Sequence, residues 1–103
     1  MAIFVFDAEN FEEEVLQSDI PVLVDFWAEW CGYCHVLSPV VEQVAAEITD
    51  IKVGKINFDE NQQLAARYNI LGLPTLVLFE NGHEIKRLPG AVQKSSILEM
   101  IGH

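Results

Sequence analysis

Pro21-Val-Leu-Val-Asp-Phe-Trp27 is a nearly unbroken apolar, β-branched run, and four residues beyond it stands Cys31-Gly-Tyr-Cys34. A run of this kind is what a strand covered by helices on both faces looks like, because neither side needs polar residues for water. From Cys34 onward Leu37, Val40, Val41, Val44, Ala45 and Ile48 recur at helical spacing. The two cysteines therefore mark the passage from a buried central strand into a helix. Pro39 predicts a kink in that helix.

Working outward, Ile3 to Phe6 reads as a short strand. Asp7 then suits the N-cap of a helix with Ala8, Phe11 and Val15 on its dry face and Glu12 to Glu14 on its wet one. Downstream, Lys52 to Phe58 reads as a strand, Asn61 to Tyr68 as a helix and Thr75 to Glu80 as a strand. A turn at Asn81-Gly82 leads into a strand over Glu84 to Leu88, and Lys94 to Ile101 closes the chain as a helix. The order βαβαβαββα holds two strand–helix–strand units and a hairpin, which predicts an α/β fold with a mixed sheet between helices. With 103 residues and no linker, repeat or low-complexity tract, residues 1–103 are expected to form one domain.

Sixteen acidic and six basic side chains give a formal charge of −10, and the first Lys or Arg is Lys52. A surface of this sign repels phosphate backbones, so a nucleic-acid partner is not expected. The start of the chain lacks the positive charge and long apolar region of a secretory signal, and no stretch nears the roughly 20 apolar residues of a membrane span. A cytoplasmic location without membrane attachment is the expectation. There thiols are kept reduced, and paired cysteines tend to be catalytic rather than structural.

Thiol–disulfide exchange needs one thiolate to attack and a second thiol to resolve the mixed disulfide. A CxxC on the first turn of a helix supplies both: unpaired N–H groups and the partial positive charge there can bring a thiol pKa from ~8.5 into the ~3.5–7.5 range. Cys31 is the candidate thiolate, and Cys34, one turn inward, the more buried thiol. Three other readings of the pair were open. Zinc wants four ligands, and Cys31, Cys34 and His35 are too few. Cys31-Gly-Tyr-Cys-His35 also spells a haem attachment motif, with Met100 or His83 as possible distal ligands, but such attachment usually accompanies export. A pair of merely packed cysteines was the third. No metal is expected.

Asp25 places a carboxylate inside the apolar strand, where burial raises its pKa. If it lies beneath the cysteines it could carry the proton of the resolving thiol. Lys55, in the neighbouring strand, is the candidate cation tuning it. Pro74 opens the strand at Thr75, a position where a cis bond is worth suspecting.

Val24-Asp-Phe-Trp-Ala-Glu-Trp-Cys-Gly-Tyr-Cys34, Lys55-Ile-Asn-Phe-Asp59, Gly72-Leu-Pro-Thr-Leu-Val-Leu-Phe79 with Asn81-Gly82, and Gly90-Ala91 resemble the thioredoxin family in order and spacing across nearly the whole chain. The resemblance implies a five-stranded mixed sheet with four flanking helices and the CxxC exposed at its end. It implies a protein disulfide reductase with a redox-active Cys31–Cys34 disulfide, Cys31 as nucleophile, Cys34 as resolving thiol, Asp25 as proton shuttle and Lys55 as its partner. Pro74 resembles the family's cis-proline, beside which the backbone of Leu73 would pair with an extended client segment. Trp30, Gly72, Gly90 and Ala91 match the apolar rim that receives the client, Pro39 the helix kink, and Trp27 packing near the site. The partners so implied are disulfide-bearing client proteins and a thioredoxin reductase passing on electrons from NADPH or another donor. No bound cofactor is implied, and a monomer is expected.

Two residues of the Cys31-Gly32-Tyr33-Cys34-His35 motif depart from the family pattern. Tyr33 stands where Pro is usual, which loosens the turn, adds an N–H and predicts a less negative reduction potential. His35 stands where Lys is usual and adds an imidazole within one turn of Cys34, so activity is expected to respond to pH. Tyr33 keeps one rival in view, a more oxidising oxidase or isomerase, and the apolar rim a second, a non-catalytic binding subunit.

Overall fold

The computed structural model describes residues 3–103. Its strands are β1 (Phe4–Phe6), β2 (Val22–Trp27), β3 (Lys52–Asn57), β4 (Thr75–Glu80) and β5 (His83–Pro89). Its helices are α1 (Gly32–Glu47), α2 (Gln62–Arg67) and α3 (Lys94–Met100), with a π-helical turn at Glu12–Leu16 making a fourth helical segment. The strands form one sheet in the order β1-β3-β2-β4-β5. β1, β3 and β2 run parallel, and β4 and β5 are antiparallel additions. The apolar run from Pro21 to Trp27 thus supplies the middle strand, and Val22 to Phe26 are all buried.

Alternation along the strands divides the core in two. One face gathers Phe6, Val24, Phe26, Ile56, Val77 and Phe79 under the π-helical turn and α2. The other gathers Leu23, Val53, Leu76 and Leu78 under α1 and α3, which contribute Leu37, Val41, Val44 and Ile97. Gly54 is required on the first face, because a Cβ there would occupy the space of the Phe6 ring. The β4–β5 hairpin turns on Asn81 and Gly82, with φ of 52° and 82°. Positive φ at both central residues suits the right-handed twist of the flanking strands.

The first helix differs from expectation. Asp7 does cap, its Oδ1 accepting from the N–H groups of Glu9 and Asn10 at 2.9 Å, but the capped element is a turn. Asp7 O accepts from Phe11 N–H at 2.9 Å, so this turn leads through a helical Phe11 into the π-helical Glu12–Leu16, where Gln17 N–H bonds to Glu12 O, and Ala8 is exposed. The wider turn still buries Phe11 and Val15, which is what the apolar pattern demanded. α1 runs through Pro39 as one helix.

Candidate functional site

β2 ends at Trp27, the chain turns through Ala28, Glu29 and Trp30, and Cys31 becomes the N-cap of α1. Cys31 N–H donates to Ala28 O at 3.1 Å, which fixes the turn. The cap is unusual in chemistry: Cys34 N–H donates to Cys31 Sγ at 3.2 Å, so sulfur takes the place of the usual cap oxygen. Cys31 and Cys34 are in disulfide contact with Cα atoms 5.3 Å apart, an ordinary separation for such a pair. Both sulfurs lie at a helix start that favours negative charge.

Openness differs from what the resemblance implied. Cys31 is only 6% exposed and Cys34 2%, because Ala28, Trp27, Phe58 and Leu73 pack around them. What faces water is the rim: Trp30 is 68% and Tyr33 72% exposed. Trp30 is held by its indole N–H, which donates to Asp59 Oδ2 at 2.8 Å. Gly32 is exposed on the first turn.

The Leu73–Pro74 bond is cis, and the Leu73 side chain lies on the cysteine cluster. Gly72 O accepts from Thr75 Oγ1 at 2.6 Å, and Pro74 O accepts from Gly90 N–H at 2.8 Å. These bonds tie the Gly90-Ala91 loop to the proline loop, where Gly90 adopts a φ of 87° and Ala91 is exposed. Residues far apart in sequence are thereby joined at the proline loop, whose Leu73 packs on the cysteines.

Asp25 is buried on the face beneath α1, two residues along β2 from Leu23. Among the described residues neither carboxyl oxygen has a hydrogen-bond partner. Its pKa is raised from 3.8 to about 7 by burial, with the Lys55 charge opposing. Lys55 is its in-register neighbour on β3, yet the Lys55 ammonium donates to Ser38 Oγ on α1 at 2.5 Å rather than to Asp25. It also lies 5.8 Å from the centre of the Trp27 ring. His35 is turned away from the sulfurs: its Nε2 donates to Glu29 O at 2.7 Å, and its ring meets Trp27 edge-on. Met100 belongs to the core under α3, and His83 begins β5 at the hairpin turn.

Sequence reasoning passed over Ser38, Asp59 and Phe58, each defined by a contact across elements. It also passed over two exposed apolar residues, Val36 at 62% and Leu71 at 95%. Val36 had a usable signal, lying three residues from Tyr33 on one helix face.

The family model for thioredoxin matches residues 2–103. The chain belongs to the thioredoxin family. It is 46% identical to a thioredoxin of Rickettsia bellii over 96 residues, covering 92% of this chain and 91% of that protein. To thioredoxin 1 of Synechococcus elongatus it is 47% identical over 98 residues, covering 94% and 91%. The crystal structure of a Malassezia sympodialis thioredoxin superposes with a TM-score of 0.90 at 32% identity, covering 98% of this chain and 89% of that one. The five-stranded mixed sheet with four helical segments is the thioredoxin fold. As in the rest of the family, this chain is a thiol–disulfide oxidoreductase that reduces protein disulfides, and its redox centre is a CxxC pair with no prosthetic group. Disulfide-bearing proteins and a thioredoxin reductase are the partners the family implies. No helix among the described residues is long and apolar enough to cross a membrane.

Proposed function

We propose that Cys31 attacks and Cys34 resolves, with Asp25 carrying the proton. The supporting observation is the sulfur cap: the Cys34 amide aimed at Cys31 Sγ stabilises negative charge on Cys31 once the pair is reduced. The Cys31 thiolate attacks one sulfur of a client disulfide, forming a mixed disulfide and releasing the other client sulfur as thiolate. Asp25 takes the Cys34 proton, and the Cys34 thiolate attacks Cys31 Sγ. That step closes the Cys31–Cys34 disulfide and releases the second client sulfur. Two electrons pass to the client, whose two thiolates are protonated from Asp25 and solvent.

The client lies as an extended segment along Leu73. Among the described residues the Leu73 backbone makes no hydrogen bond, leaving its N–H and C=O open to strand pairing. Trp30, Gly72, Pro74, Gly90 and Ala91 form the surrounding rim, while Gly32 and Tyr33 shape the turn between the sulfurs. His35 orients Glu29 and the start of α1 through its bond to the Glu29 carbonyl. Lys55 offsets charge on Asp25. A single-domain monomer in the cytoplasm, recharged by a flavin-containing thioredoxin reductase, fits this reading.

Insulin-disulfide reduction with dithiothreitol as donor tests it. The wild type accelerates the reaction, and Cys31→Ser falls to the uncatalysed rate. Full activity in Cys31→Ser removes the assignment of the nucleophile.

A further inference from the structure

The buried carboxyl and the cation nearest it in register do not pair. Asp25 and Lys55 stand side by side on β2 and β3 in a parallel, in-register sheet, so their side chains leave the same face. An ammonium beside an unpartnered carboxylate in a dry interior would ordinarily close on it. Here the ammonium reaches instead to Ser38 Oγ at 2.5 Å, and both Asp25 oxygens stay without a partner. The serine is anchored in turn, donating to Glu42 Oε2 at 3.4 Å on the next turn of α1. Ser38 lies four residues beyond Cys34, so it occupies the same side of the helix as the resolving sulfur.

We propose that Ser38 is a positioning residue of the redox centre: its hydroxyl holds the Lys55 ammonium on α1 and so leaves Asp25 free to take up and release the resolving proton. This rests on the reading of Asp25 as proton carrier. An ion-paired Asp25 would stay ionised through neutrality and return its proton poorly. An Asp25 with no cation nearby would stay protonated and accept poorly. The serine sets the ammonium between these limits.

The groups around Asp25 define what a change at Ser38 can do. Lys55 faces it from β3, and α1, which begins at the two cysteines, brings Ser38 against Lys55 and through it the exposed Glu42. β4 brings only the apolar Leu76. On its outer side Lys55 borders a cavity of about 200 Å³ shared with Asp7, Trp27, Asn57 and Glu60. Asp7 is occupied by the backbone N–H groups of Glu9 and Asn10, and Glu60 is exposed, where water and salt weaken its pull. Asp25 is the buried acceptor with open lone pairs. An ammonium released from Ser38 turns to it.

The experiment titrates the Asp25 carboxyl by carbon-detected NMR in the oxidised protein, alongside the pH profile of insulin-disulfide reduction. Ser38→Ala is expected to lower the Asp25 midpoint by about one pH unit, as a closer opposite charge does. Ser38→Thr, which keeps the hydroxyl, is expected to hold it at the wild-type position. A midpoint unmoved or raised in Ser38→Ala overturns the proposal, as does a Thr variant that shifts like the Ala variant. Asp25→Asn judges the underlying reading by itself. Loss of the profile's acid limb supports Asp25 as proton carrier, and an unchanged limb removes that role while the NMR midpoint still decides whether Ser38 holds Lys55.

Discussion

The two faces of the sheet are built from the same strands to different ends. Beneath α2 and the π-helical turn the inward side chains of the strands are apolar except for Thr75, whose hydroxyl donates to Gly72 O, and Phe79 meets Phe11 and Tyr68 edge-to-face at 5.6 Å and 5.2 Å. Beneath α1 the corresponding positions begin as apolar at Leu23 and Val53 and then turn polar at Asp25 and Lys55, just where the helix brings in Ser38. The first face supplies stability. The second gives some up, since a buried carboxyl without partners costs free energy once ionised. The difference teaches that the redox centre depends on a local destabilisation carried by a scaffold packed well enough to tolerate it.

Breaking the apolar face should change stability and leave chemistry alone. Phe79→Ala is expected to lose about 3–5 kcal/mol in urea unfolding, from the removed ring and the cavity left behind. Its rate of insulin reduction under folding conditions should match the wild type. A large rate loss in the folded variant would mean that the two faces are not separable.

The polar face should show the opposite sign. The folded pKa of Asp25 is raised to about 7 from 3.8, so between those values the folded chain holds a proton that the unfolded chain has lost. Stability therefore falls as pH rises through that window. Asp25→Asn carries no such penalty, and relative to the wild type it should gain roughly 2–4 kcal/mol on going from about pH 4 to pH 9. Urea unfolding of both proteins at the two pH values checks this, and a gain independent of pH would show that ionisation is not the cause.

The smallest effect is expected at the rim. Tyr33→Pro removes an N–H from the first turn of α1 and stiffens the loop between the sulfurs, which favours the disulfide over the dithiol. The reduction potential should fall by about 30 mV, equivalent to about 1.4 kcal/mol for this two-electron couple. Equilibration against glutathione reads it, and a rise would place the control of the potential elsewhere.

Much of this was legible in the sequence because it is local. Period and β-branching marked β2, the CxxC at its end marked the helix start, and Asn81-Gly82 marked the hairpin. The first helical segment follows its Asp7 cap as expected, but its π-helical winding over Glu12–Leu16 was not legible, because the spacing of Phe11 and Val15 fits either winding. Asp25 was noticed because a charge in an apolar strand breaks the pattern. Ser38 was not, since a serine on a helix breaks no pattern.

By itself the sequence determined which residues must be buried, where strand gives way to helix, and which atoms are chemically able to exchange disulfides, because each of these follows from neighbours along the chain. Only the tertiary structure decided that Lys55 bonds Ser38 instead of Asp25, that Leu73 packs on the cysteines while Gly90 bonds Pro74, and that Cys31 is nearly enclosed. Those are distances between elements brought together by folding, and hydrogen bonds at such distances are not encoded in the order of residues within any one of them.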